Sequence, residues 1–292
     1  MLGVANIDGE EFCMLIAEAV TSIFSYSFLV RAFVVGTLVS LCASLLGVSL
    51  VLKRYSMIGD GLSHVGFSAL AVASALSLAP LAVAIPVVLL ASFVLLRLDN
   101  KKLMGDSAIA VISSAALAIG VLCVSLSGTN TDLESYMFGS IMAISDADAY
   151  LSIALSVILL AGYVLFYNRI FAVTFDESFS RATGIRTNFF NTLIAVLTAI
   201  TVVLGMRMMG ALLISSLIIF PCLYARKLCS SFKAVCICSG LISVLCFFVG
   251  MVASYVLGTP TGASIVAVNV IALVLSCLVG WGVRNVKGAH QG

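Results

Sequence analysis

Long apolar stretches, each about as long as a bilayer-crossing helix, recur from residue 27 almost to the end of the chain. Short clusters of charge, glycine and proline separate them. Taken between those breaks, they predict nine helical spans at about 27–52, 57–79, 80–98, 107–127, 147–168, 187–206, 208–225, 232–257 and 262–283. The stretch 187–225 divides at Gly205-Met206-Arg207-Met208-Met209-Gly210. The expected fold is therefore all-α: a polytopic membrane bundle of eight or nine helices, nine being the best count. Residues 1–26 would form an N-terminal extracytoplasmic segment, 27–284 the transmembrane domain and 285–292 a cytoplasmic tail.

Charge placement bears on the count. With nine spans and the N-terminus outside, 13 of the 15 lysines and arginines fall on one side, and only Arg31 and Arg207 fall in the outer half. Asp132, Glu134, Asp146 and Asp148 join the acidic N-terminus on the other side. Basic residues concentrate on the cytoplasmic face, so the pattern predicts N-out and C-in.

Composition agrees. Of 292 residues, 62% are hydrophobic and 10% charged, with a mean hydropathy of +1.22, which excludes a soluble globular or disordered chain. A net charge of +2 argues against a nucleic-acid partner. The first basic residue is Arg31, so the positive n-region of a secretory signal is not expected. Cys42, Cys123, Cys236, Cys238, Cys246 and Cys277 lie in apolar runs and no C-x-x-C occurs, so they read as packing residues. Gly36, Ser40, Ala43, Ser44 and Gly47 of the first span supply a small face for close helix approach. No G-x-x-x-x-G-K-[ST] occurs, which rules out ATP binding by that route.

The second span is the least apolar, and it carries the candidate chemistry. Asp60 and His64 are the carboxylate and the histidine that fall inside the long apolar runs. Four residues apart, they project from one helix face. A carboxylate at the bilayer centre costs about 3 kcal/mol, so it needs a partner or a task. An oxygen and a nitrogen donor suit zinc, manganese or iron(II). The alternative is an internal ion pair or hydrogen bond, aided by Ser63 or Ser68. Two ligands do not complete a tetrahedral site, and an incomplete site is what release of a transported ion requires.

Three further segments stand out. Phe175–Ile185, with its acidic start, Ala182 and Gly184, reads as a short helix closed by a C-terminal glycine, or as an ordinary amphipathic connector. In the segment 206–221, Pro221 is expected to kink or end its helix, and the methionines read as packing. Gly258-Thr259-Pro260-Thr261-Gly262-Ala263-Ser264 reads as an outward turn.

Together, VLKRYSMIGDGLSHVG (51–66), SYMFGS (135–140), FDESFSRATGI (175–185), GALLISSLIIFP (210–221) and TPTGASIVAVN (259–269) resemble the integral-membrane permeases of zinc- or manganese-type ABC importers, in that family's order and spacing. The resemblance spans residues 30–283. It implies a homodimeric or paired permease in a bacterial cytoplasmic membrane, with a translocation path contacted by Asp60 and His64. It also implies a coupling helix, about 174–185, that docks in a cleft of a separate ATPase subunit. That role carries over to Asp176, Glu177, Phe179, Arg181, Ala182 and Gly184. The further partners implied are an extracytoplasmic metal-binding protein and the lipid bilayer. The chain itself would hold no cofactor, carry no enzyme activity, and pass zinc or manganese as cargo.

Gly61 departs from the family, which commonly has alanine or another residue there. Glycine in a helix costs about 1 kcal/mol and is expected to loosen the backbone beside Asp60. The acidic outer residues would concentrate cations at the mouth. Rival readings are a proton-coupled secondary transporter, an ABC permease for a siderophore or cobalamin chelate, and, furthest off, a membrane-embedded enzyme.

Overall fold

The computed structural model describes residues 25–99, 105–127, 139 and 146–289. The described residues form eleven helices: α1 Ser27–Leu52, α2 Ser56–Ala75, α3 Pro80–Asp99, α4 Gly105–Ser127, α5 Asp146–Leu165, α6 Tyr167–Phe175, α7 Glu177–Ala182, α8 Thr187–Met209, α9 Ala211–Leu228, α10 Phe232–Leu257 and α11 Thr261–Ala289. Every one of the nine segments read from the sequence is occupied by a long helix. Six of these, α1, α4, α5, α8, α10 and α11, are long and apolar enough to cross a membrane by length and composition; α3 has a shorter apolar stretch, Pro80–Leu96.

Burial sorts the bundle. The spans of α1 and α8 are 67% buried within the protein, whereas those of α4 and α11 are 22% buried. Of these six, α1 and α8 are the most enclosed. Helices α9, α10 and α5 pack on α1; α3 packs on α8 and α2; α4 lies against α2; α11 covers α9 and α10. The outer faces of α4, α10 and α11 carry rows of exposed aliphatic side chains, such as Ile237, Leu241 and Leu245 four residues apart on α10. Apolar residues facing outward at helical spacing suit a hydrocarbon solvent.

Small residues let the central helices meet. A methyl group on Gly47 of α1 would run into the backbone oxygen of Ile218 in α9, so α1 and α9 touch backbone to backbone. The serines of the small α1 face are bonded across the interface: Ser243 of α10 donates to the Ser40 carbonyl at 3.2 Å, and Ser239 to the Ser44 carbonyl at 3.5 Å. With no hydrophobic force between helices in lipid, such contacts supply the adhesion. Tyr224 of α9 donates to Asn269 Oδ1 of α11 at 2.9 Å, both residues being buried.

The elbow between α1 and α2 positions the site. The Arg54 N–H bonds the Val51 carbonyl, and the Tyr55 N–H bonds the Leu50 carbonyl at 2.8 Å. This is a helix-ending motif that places Arg54 at φ +64°, where glycine is usual. A side chain in the left-handed region costs about 1 kcal/mol, so packing holds this turn against local preference. Helix α9 runs through Pro221 to Leu228, so that proline does not end it.

Candidate metal-path residues and the coupling helix

Helix α2 is enclosed by α3, α4, α8 and α9. Three glycines fit it there. Gly59 faces Ile218 of α9, Gly61 faces Ile109 of α4, and Gly66 faces Met206 of α8. Leu62 and Ser63 are wholly buried, as are Phe67 and Leu70. Beyond Ser56 at its start, what remains uncovered along the first half of the helix is a narrow stripe: Met57, Asp60 and His64.

The two polar members of that stripe stand together. Asp60 Oδ2 and His64 Nε2 are 3.8 Å apart, with side chains 42% and 19% exposed. That distance lies beyond hydrogen-bond reach, so the lone pairs are not consumed by each other. It is also shorter than the sum of two metal–donor bonds of about 2.1 Å, so one ion fits between both atoms. Ser63 does not serve the carboxylate: its hydroxyl donates to the Asp60 backbone carbonyl at 2.7 Å. Among the described residues no group of three or more His, Cys, Asp or Glu side chains converges on a metal-sized site. Gly61 gives α4 room to approach: Ile109 and Ser113 of α4 and Leu95 of α3 stand nearest to it.

The second predicted region is also a helix, shorter than the span 174–185. Asp176 caps α7 by accepting from the Phe179 N–H at 2.9 Å. At the other end Gly184 takes φ +83°, its N–H bonds the Arg181 carbonyl, and the Ile185 N–H bonds the Ser180 carbonyl at 2.9 Å. Both ends of a one-and-a-half-turn helix are thus satisfied by its own sequence. Phe179 is 66% exposed, flanked by exposed Phe175 and Phe189. Ala182 and Gly184 are exposed too.

Glu177 and Arg181 form an i,i+4 ion pair at 3.2 Å. The other Glu177 oxygen accepts from Asn191 Nδ2 of α8 at 3.2 Å and lies 3.8 Å from Lys53 Nζ. Lys53 in turn donates to Asn191 Oδ1. The sequence reading missed Lys53 and Asn191 as members of this cluster. In the sequence Lys53 stands out only within the 51–66 segment and among the basic residues gathered on one side, and Asn191 carries no signal.

At the opposite end of the bundle, Asp146 is paired with Arg31. Part of the acidic cluster expected on the outer side is therefore paired with a cation. Asp132, Glu134, the acidic N-terminal residues and the 135–140 motif apart from Gly139 lie outside the described residues.

Residues 25–280 match the ABC 3 transport family. The chain is 26% identical over 274 residues to the manganese import system permease protein ScaB of Streptococcus gordonii, covering 94% of this chain and 99% of that one. It is 33% identical over 247 residues to a probable metal transport system membrane protein of Thermotoga maritima, covering 83% and 86%. A probable iron transport system membrane protein of Haemophilus influenzae is 30% identical over 273 residues, covering 92% and 97%. Among solved structures, PsaBC from Streptococcus pneumoniae in complex with Fab superposes with a TM-score of 0.81 at 27% identity, over 89% of this chain and 95% of that one. An inward-facing putative metal-chelate type ABC transporter shares the fold at 15% identity and a TM-score of 0.68, over 98% and 90%. The segments that carry the Asp60/His64 pair and the capped α7 thus sit within one matched domain, and the chain belongs to the ABC 3 transport family, as the non-enzymatic membrane permease of a metal ABC transporter.

Proposed function

We propose that the chain is the membrane half of an ATP-driven importer that carries a bare divalent transition metal ion, manganese or zinc, through a bacterial cytoplasmic membrane. One observation carries the reading: on a helix otherwise enclosed by protein, an acid and an imidazole share the uncovered stripe, 3.8 Å apart. The names of the streptococcal relatives favour manganese. Nine spans, N-out and C-in, place the elbow at Lys53 and helix α7 on the cytoplasmic side.

Two donors from one chain do not complete a coordination shell. Pairing with a second copy across the open stripe doubles the donors, and water fills the remainder. A binding protein presents the ion outside. Asp60 and neutral His64 replace part of its hydration shell within the membrane. ATP binding on a separate subunit, seated on Phe179 and its exposed neighbours, moves α7 and changes the side to which the site opens. Asp60→Ala tests the proposal: manganese and zinc uptake should vanish while folded protein accumulates normally. Undiminished uptake by that variant would refute it.

A further inference from the structure

Resting on that transport reading, we infer that Lys53 is a positioning residue that links the coupling helix to the metal-binding helix. Lys53 is the last residue before the strained Arg54 turn, and its side chain is 7% exposed. A cation so enclosed needs charge compensation, and Glu177 of α7 provides it at 3.8 Å. Asn191 of α8 closes the triangle, accepting from Lys53 and donating to Glu177. The α1–α2 elbow therefore meets, in one polar cluster, two consecutive elements more than 120 positions further along the chain: the coupling helix and the start of α8.

The consequence is mechanical. Helix α2 starts at Ser56, three residues after Lys53, and Asp60 sits just over one turn into it. At about 1.5 Å per residue, the carboxylate lies only some 6 Å along the axis from the helix start. A helical turn is stiff over that length. Glu177 is also anchored within α7 by Arg181, so displacement of α7 pulls on Lys53 and Asn191 together. The backbone of the elbow has no matching preference of its own, since Arg54 occupies a conformation that a side chain disfavours. A bond to α7 that is made in one position and stretched in another therefore shifts the elbow, and with it Asp60 and His64. Residues Leu50, Tyr55, Ile58, Leu96, Ile194 and Ala195 line a small apolar cavity beside Lys53.

The test uses the full chain reconstituted in proteoliposomes with its ATPase and binding protein. Manganese uptake and ATP hydrolysis are measured on the same preparation. Lys53→Met and Asn191→Ala should each lower the manganese moved per ATP hydrolysed by tenfold or more, while Lys53→Arg stays within threefold of wild type. A loss of complex yield with an unchanged ratio would show a purely structural cluster and overturn the inference. So would an unchanged ratio at normal yield. Asn191→Ala removes no charge, so it reports even where Lys53→Met does not assemble. Wild-type complex that moves no manganese and no zinc would sink the transport reading itself, a result distinct from failure of the link.

Discussion

Gly61 of α2 and Ile109 of α4 approach so closely that a methyl group on Gly61 would stand 2.7 Å from Ile109 Cγ2. Ser113 Oγ follows at 3.3 Å and Leu95 Cδ1 at 3.8 Å. Ile109 is β-branched and stiff at χ1, so Cγ2 does not swing aside freely. Alanine at position 61 would regain about 1 kcal/mol of helix propensity. Overpacking costs about 1–3 kcal/mol, so the net effect of Gly61→Ala is a loss near 1 kcal/mol. Gly61→Val should lose more, and should lower the melting temperature in detergent clearly. A valine variant that melts with the wild type would contradict the close contact.

That contact shows what hydropathy cannot convey. The positions of the nine long helices were legible, and α1 begins and ends where the pattern placed it. The misses have local causes. The apolar pattern of the second span runs to residue 79, but α2 stops at Ala75 because Ser77 adopts φ +55° and the Leu78 N–H closes on the Ala73 carbonyl. No glycine marks that end. The fifth span was carried to 168, but the chain breaks at Phe166 and restarts as α6, with apolar residues on both sides of the break. The Asp60/His64 adjacency was legible because four-residue spacing is a property of the helix itself. The Lys53–Asn191 contact bridges 138 positions, and nothing local encodes it.

If the pair on α2 contacts the ion directly, charge and donor type matter more than volume. Asp60→Asn keeps the size of the side chain and removes its charge. Uptake at limiting metal should fall at least tenfold, equivalent to about 1.4 kcal/mol of lost interaction. His64→Gln, which removes the imidazole donor, should do likewise. Transport assays with manganese and zinc check both. A mild Asp60→Asn phenotype would instead favour cargo that arrives already chelated.

The caps of α7 give a prediction that is independent of the metal. Asp176→Ala removes the acceptor for the Phe179 N–H, a loss of about 1 kcal/mol for the helix. Gly184→Ala places a side chain at φ +83°, which costs a similar amount. A helix of six residues has little stability to spare. Hydrogen exchange over residues 177–182 should speed up several-fold in either variant, with the long helices unchanged. Uptake should fall with it. Unaltered exchange would mean that packing, not capping, holds this segment.

The Tyr224–Asn269 bond pins α9 to α11, and its worth in a membrane protein is smaller than its burial suggests. Tyr224→Phe leaves Asn269 Oδ1 without its donor; the Asn269 amide still donates to the Ile265 carbonyl at 2.9 Å. In a soluble core, stranding a buried acceptor costs about 1–3 kcal/mol. Within a bilayer the unfolded chain has no water either, and measured side-chain couplings average only about 0.6 kcal/mol, with an upper range near 1.7. The second figure governs here. Tyr224→Phe should therefore destabilise by about 1 kcal/mol, and Asn269→Leu by a similar amount. The double variant, with neither polar group left, should cost less than the sum of the two. A double-mutant cycle on folding stability in detergent or bicelles reads the coupling directly. Strict additivity would show that the two side chains are neighbours without a bond that matters.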